Sequence, residues 1–172
     1  MKHQILKTAV CLSACAAFVV SAGIIRAATE PAKATDKSMS LSSADKSFMK
    51  AAAKGGMMEV EMGQMAAKDA TSADVKKFGE RMVTDHGKAN EELKALAAKK
   101  GVELPAAPSV SKWKSDKDYV DMMVKDHEKD LAEFDKEAKS ASDADVKAFA
   151  KKTSAVIRKH LALIQDIQKK MK

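Results

Sequence analysis

From Ser42 onward, apolar residues recur at intervals of three and four through four long stretches. That spacing marks amphipathic helices. It predicts a first helix from about Asp45 to Asp69, with Ser42 or Ser43 as the N-cap. A second runs from Ala73 to Lys100 and stops at Gly101, a residue suited to the left-handed position after a helix. A third covers Asp116 to Lys139, and a fourth covers Ala144 to Lys170. No stretch alternates apolar with polar over strand length. The first and third breaks are short, whereas "VELPAAPSVSKWK" between the second and third helices is longer and holds two prolines. The pattern predicts an all-α, up-down four-helix bundle whose helices are each about 37 Å long.

Two internal echoes accompany the periodicity. "MVTDHGKANEEL" at Met82 returns as "MVKDHEKDLAEF" at Met123, 41 positions later. "SADVKKF" at Ser72 returns as "DADVKAF" at Asp143. Together they suggest two related helical hairpins.

The first 28 residues break the helical pattern. A short basic start, "MKHQILK", precedes the apolar run "TAVCLSACAAFVVSAGII" and then "RAATE". This is the layout of a secretory signal segment, with cleavage expected between about residues 22 and 28. "LSAC", ending at Cys15, resembles a lipoprotein box, but Lys7 interrupts the apolar run before it. An uncleaved anchor is the competing reading, because Thr8 to Ile25 spans 18 residues, the low end for a bilayer crossing. Residues 29–43, "TEPAKATDKSMSLSS", read as a flexible tether. The helical domain then occupies 44–172. Export to the periplasm or outer membrane follows, with the cell envelope or its membrane as the expected partner. Both cysteines, Cys11 and Cys15, fall in the signal segment, so the remainder has no thiol for a disulfide or a metal.

The formal charge is +7. Without Lys2, Lys7 and Arg26 it falls to about +4, and the remaining charges interleave as in "KDHEKDLAEFDKEAK". That is a solvated helix surface rather than a basic stripe, so no nucleic-acid partner is expected.

On a helical wheel all three histidines outside the signal segment lie in apolar stripes. Met82, Ala89 and Leu93 fall within about 60° of His86, and Met123, Leu131, Phe134 and Ala138 within about 40° of His127. Phe149, Thr153, Val156, Ile164 and Ile167 fall within about 40° of His160. Glu59 lies among Phe48, Ala52, Gly55, Met62, Gly63, Ala66 and Ala70, within about 60°. If Asp74 and Asp145 mark the same end of the bundle, Glu59, His86, His127 and His160 stand about 22, 18, 27 and 22 Å from it. One ionisable residue per helix is thus expected near mid-bundle.

Burying such groups is costly unless they are hydrogen-bonded or ligated. Two accounts fit. In one, the histidines and Glu59 satisfy each other in a polar network with Asp85, Asp126, Asn90 and Asp130. In the other, Glu59, His86, His127 and His160 hold a metal ion, and those flanking groups orient the ligands. Three imidazoles and a carboxylate suit zinc, iron or copper. The Glu-x-x-His motif of di-iron bundles is absent, since Val83, Val124 and Ile157 stand three before the histidines. Met57, Met58, Met62 and Met65 offer thioethers, but their spacing is that of a helical core. No nucleophile elbow or phosphate-cradling glycine loop is present. No catalytic residue is assigned, and a non-enzymatic, stress-associated or metal-responsive binding module is expected, with a metalloenzyme as the alternative.

The stretches "FMKAAAKGGMMEVEMGQMAAKDATSADVKKFGERMVTDHGKANEELKALAAKKGVELP" and "YVDMMVKDHEKDLAEFDKEAKSASDADVKAFAKKTSAVIRKHLALIQDI" resemble the bacterial domain of unknown function 4142 family. Glu59-x-Glu61-x-Gly63, Asp85-His86, His127-Glu128 and His160-Leu161 carry the likeness. The resemblance implies a secreted protein, often labelled a membrane or outer-membrane protein, with a ferritin-like bundle. It implies no established activity.

Overall fold

The computed structural model describes residues 41–171. The expected signal segment and nearly all of the expected tether lie outside the described residues. Among those residues there are four α-helices and no strand: α1 (Ser43–Asp69), α2 (Ala73–Lys100), α3 (Asp116–Ser140) and α4 (Ala144–Lys170). No helix among them is long and apolar enough to cross a membrane.

Local chemistry fixes the helix ends. The Ser42 side chain accepts the Asp45 N–H, and Asp45 reaches back to the Ser42 N–H. Ser115 accepts from the Asp118 N–H, and Asp143 from the Asp145 and Val146 N–H groups. Each cap satisfies amides that the first helical turn leaves without partners. Gly101 ends α2 at φ 65°, a conformation that costs glycine little.

The chain path differs from simple alternation. Lys170 at the end of α4 bonds Asp74 at the start of α2 (3.0 Å), and Lys99 at the end of α2 bonds Asp145 at the start of α4 (2.9 Å). Asp74 and Asp145 therefore mark opposite ends of the bundle, not the same one. The connection 102–115 runs its length: Val102 and Leu104 pack on one apolar cluster, Val110 and Trp113 on the other. Fourteen extended residues reach about 46 Å, enough to pass a helix of about 40 Å. Each hairpin alternates as expected, but α2 and α3 run in the same direction.

The crossover also corrects the predicted heights. Asp116 bonds the α1–α2 turn, so His127 lies 11 residues, about 16 Å, above that end. His160, likewise re-measured from Lys170 at that end, lies 10 residues or about 15 Å above it, so all four groups share one level.

Both turns are latched by the opposite hairpin. Asp116 accepts from the N–H groups of Thr71 and Ser72 (2.9 and 2.7 Å). Asp45 accepts from those of Ser142 and Asp143 (3.1 and 3.2 Å). Asp45 and Asp116 are 71 positions apart, as are Thr71 and Ser142. The same contact is made twice, once at each end.

The core has two apolar parts. Met62, Phe78, Met82, Tyr119, Met123 and Ile164 belong to one, beside the α1–α2 turn. Met49, Leu93, Phe134, Val146, Phe149 and Ile157 belong to the other. Ile157, rather than Val156, is the buried residue of its pair. α1 and α2 approach closely at Gly63 and Gly79: a Cβ on Gly79 would lie 2.6 Å from the Gly63 carbonyl oxygen. The methionines at 57, 58 and 62 pack against these clusters.

Candidate metal centre

Between the two apolar parts lies a polar layer. Glu59, His86, His127 and His160 are all buried there, one from each helix. The ring centroids stand 5.9 Å apart for His86 and His127, 5.2 Å for His86 and His160, and 5.6 Å for His127 and His160. Phe78 closes the layer on the α1–α2-turn side, 5.9 Å from the His127 ring and 6.4 Å from that of His160.

Each imidazole is held by one nitrogen. His86 Nδ1–H donates to Glu59 Oε2 at 2.9 Å. His127 Nδ1–H donates to the Met123 carbonyl, one turn back, at 2.9 Å. His160 Nε2–H donates to Asp85 Oδ2, also at 2.9 Å. The acceptors fix these tautomers. The other nitrogens, His86 Nε2, His127 Nε2 and His160 Nδ1, are buried with no hydrogen-bond partner among the described residues. One ring nitrogen from each histidine lies within 4.8 Å of one from each of the others.

Charge in the layer is uneven. Burial disfavours the Glu59 carboxylate, but His86 outweighs it and the pKa is lowered. Burial likewise opposes protonation of His86, yet Glu59 raises it. His127 is lowered by burial, which Glu59 only partly offsets. Burial takes His160 down to about 4 against the opposing bond to Asp85. Glu59 and His86 thus favour each other's charged forms, whereas burial favours the neutral imidazoles of His127 and His160.

The flanking residues divide. Asp85 joins the centre, held also by Arg81 at 3.3 Å. Asp126, its counterpart in the second Asp-His pair, bonds no histidine; it borders a surface cleft with Asp118, Asp121 and Lys125. Asn90 packs against Gly56 and lines a cavity with Glu59, His86 and Asp130. Burial and the Glu59 charge push the Asp130 carboxyl up to about 7. Glu59 is not among the converging groups; its Oε2 accepts from His86 Nδ1, and its Oε1 lies 3.4 Å from His127 Nδ1. The Met123 carbonyl was not anticipated; its place four residues before His127 was the available signal.

No curated protein matches the chain in sequence. Solved structures share its fold. CopM in the Cu(I)-bound form has a TM-score of 0.65 at 11% identity, covering 74% of this chain and 96% of that one. A DUF305 fragment from Deinococcus radiodurans has a TM-score of 0.63 at 8% identity, covering 76% and 98%. A two-domain protein from Anabaena variabilis, containing dj-1/thij/pfpi-like and ferritin-like domains, has a TM-score of 0.61 at 14% identity. That match covers 76% of this chain and 38% of the other. All three likenesses concern the helical fold alone. In sequence, residues 29–167 match the family described as a domain of unknown function, DUF4142, and the chain belongs to that family.

Proposed function

We propose that this protein is an exported binding module that holds one transition-metal ion on His86, His127 and His160. The observation that carries this reading is the set of three buried ring nitrogens without partners. A polar network that existed to satisfy its own members would pair them, since buried polar atoms nearly always find partners. Here the pairing is one-sided. Glu59, the Met123 carbonyl and Asp85 each hold the outer nitrogen of a ring. Outer hydrogen bonds of this kind orient ligating histidines.

The fit to an ion is close. A tetrahedral ion with bonds of about 2.0–2.1 Å sets its ligand nitrogens about 3.3 Å apart, so the rings need approach by at most about 1.5 Å. Three neutral imidazoles suit zinc and copper and leave a coordination position open. No carboxylate converges with them, which argues against a carboxylate-bridged di-iron centre. The Cu(I)-bound state named for CopM makes copper the first ion to test.

Titration calorimetry and native mass spectrometry of the folded domain test the reading. One ion should bind per chain, and replacing His86, His127 and His160 together by Gln should abolish binding. The proposal fails if zinc and both copper oxidation states bind no tighter than about 1 mM, equivalent to −4.1 kcal/mol.

A further inference from the structure

The polar layer is reached from outside by a cavity of about 30 Å³ bounded by all four helices. Most of its lining is apolar, and the polar remainder is chemically biased. Glu133 is exposed, Asp130 half-buried and Glu59 fully buried, so carboxylates of increasing burial lead toward His86. Asn90 adds an amide beside them. Among the described residues lining it, none is Lys or Arg. In a chain with 31 basic residues, and with lysines interleaved along every helix, such an interior is selective. The cationic groups nearest its mouth include Lys129, which pairs with Glu133 at 3.8 Å from the surface.

Two further observations point to a ligand here. Glu59 Oε1 is buried with no hydrogen-bond partner among the described residues, since His127 Nδ1, 3.4 Å away, gives its proton to the Met123 carbonyl, and Glu59 forms the inner wall. Gly56 is what lets the Asn90 amide reach this place, because a Cβ there would lie 2.2 Å from Asn90 Oδ1. The volume admits about two waters, or one cation and a water. A second cavity, about 140 Å³, touches His86 from between α2 and α4, but Lys88 and Lys152 stand at it.

We propose that the cavity lined by Glu133, Asp130, Asn90 and Glu59 is a transient oxygen-donor site for divalent cations, through which the ion is handed to the histidines. The inference rests on the trihistidine reading. Carboxylate and amide oxygens hold hard divalent ions and exchange them readily. Glu59 touches His86 directly, so an ion leaving Asp130 for Glu59 arrives beside the first imidazole. Carboxylates outnumber cationic groups along this cleft, and a net field of that sign raises cation capture rates by tenfold or more.

The test is stopped-flow loading with Co²⁺, followed through the visible bands of the nitrogen-bound ion, and unloading into excess chelator. Asp130→Asn should slow loading about tenfold and leave unloading unchanged or slower. Glu133→Gln should slow loading less. Glu92→Gln, on the other cavity, should change neither rate, and circular dichroism should show every variant folded. Equal loading rates for Asp130→Asn and wild type would overturn the route while leaving the centre intact. Normal loading with faster unloading would also overturn it, showing that Asp130 retains the ion rather than admits it. No cobalt band in the wild type would overturn the route, because no divalent ion then reaches the histidines, while zinc and copper titration would decide the centre separately.

Discussion

Two glycine-to-alanine substitutions on the same helix should move stability in opposite directions. Gly79 and Gly87 are eight residues apart in α2, and either change gains about 0.5–1 kcal/mol of helix propensity. A Cβ at Gly87 meets nothing within 4 Å. Gly87→Ala should therefore keep the gain and raise Tm by about 2–4 °C. At Gly79 the new atom would lie 2.6 Å from the Gly63 oxygen, 2.7 Å from the Ala67 nitrogen and 2.9 Å from the Ala66 Cβ. Two of these are backbone atoms, which cannot rotate away. Ordinary contact needs about 3.4 Å, so α1 and α2 must part by roughly 0.8 Å, and overpacking of this kind costs about 1–3 kcal/mol. After the propensity gain, Gly79→Ala should lower Tm by about 3–8 °C. The same wedge should stretch the 2.9 Å bond from His86 to Glu59 and weaken metal binding. Scanning calorimetry of both variants decides it. A Gly79→Ala protein that melts at or above wild type would refute the close approach.

Asp45→Ala removes the acceptor for three amides and should lose about 1–3 kcal/mol in urea unfolding; a smaller loss would mean that water replaces the latch. Asp130 is raised from 3.8 to about 7, so its ionised form disfavours folding. The Asp130 contribution to the stability of the ion-free protein should fall as pH rises from about 4 to 7, by roughly 2 kcal/mol after allowance for partial exposure, while His160, held down to about 4, contributes in the opposite sense. Asp130→Asn should remove that fall, which urea midpoints across the range would show. Asp85→Asn takes the charged partner from His160 and should weaken metal affinity about 10–100-fold with little change in Tm. Intact-mass measurement of exported protein should find a new N-terminus between Gly23 and Thr29, as expected for a cleaved signal segment; a full-length mass would refute cleavage.

Helix boundaries were legible because local chemistry writes them. Ser42, Gly101 and Asp143 act on their own turns, and periodicity supplied the rest. The burial of Glu59 and the histidines was also legible, since a helical wheel needs only the 3.6-residue repeat. Chain direction was not. A fourteen-residue connection permits either a local turn or a crossover, and the choice rests on contacts such as Asp116 with Thr71, 45 positions apart. That choice displaced the expected height of His127 by about two turns. Glu59 was placed in the right layer, but helical angles cannot show which side of an imidazole a carboxylate meets.

The repeated Asp-His pair is explained by neither the network nor the duplication alone. The latches recur at 71 positions, and that interval takes α1 onto α3 and α2 onto α4. It carries Asp45 to Asp116, Phe78 to Phe149 and Glu59 to Asp130, but it carries His86 to Ile157. The Asp-His echo spans 41 positions and relates α2 to α3, which the hairpin repeat does not superpose. Its two copies also behave differently. Asp85 crosses to His160 on α4, Asp126 faces a surface cleft, and the two histidines take their own anchors from Glu59 and a backbone carbonyl. A copied pair kept for structure would keep its contacts. These copies keep only one feature of each histidine: one ring nitrogen held by an acceptor and the other buried without a partner. The hairpin repeat, by contrast, sets the carboxylates of Glu59 and Asp130 at corresponding places around one cavity. Symmetry thus accounts for the two carboxylates at that cavity, and the departure from symmetry at His86, His127 and His160 accounts for the three buried imidazoles.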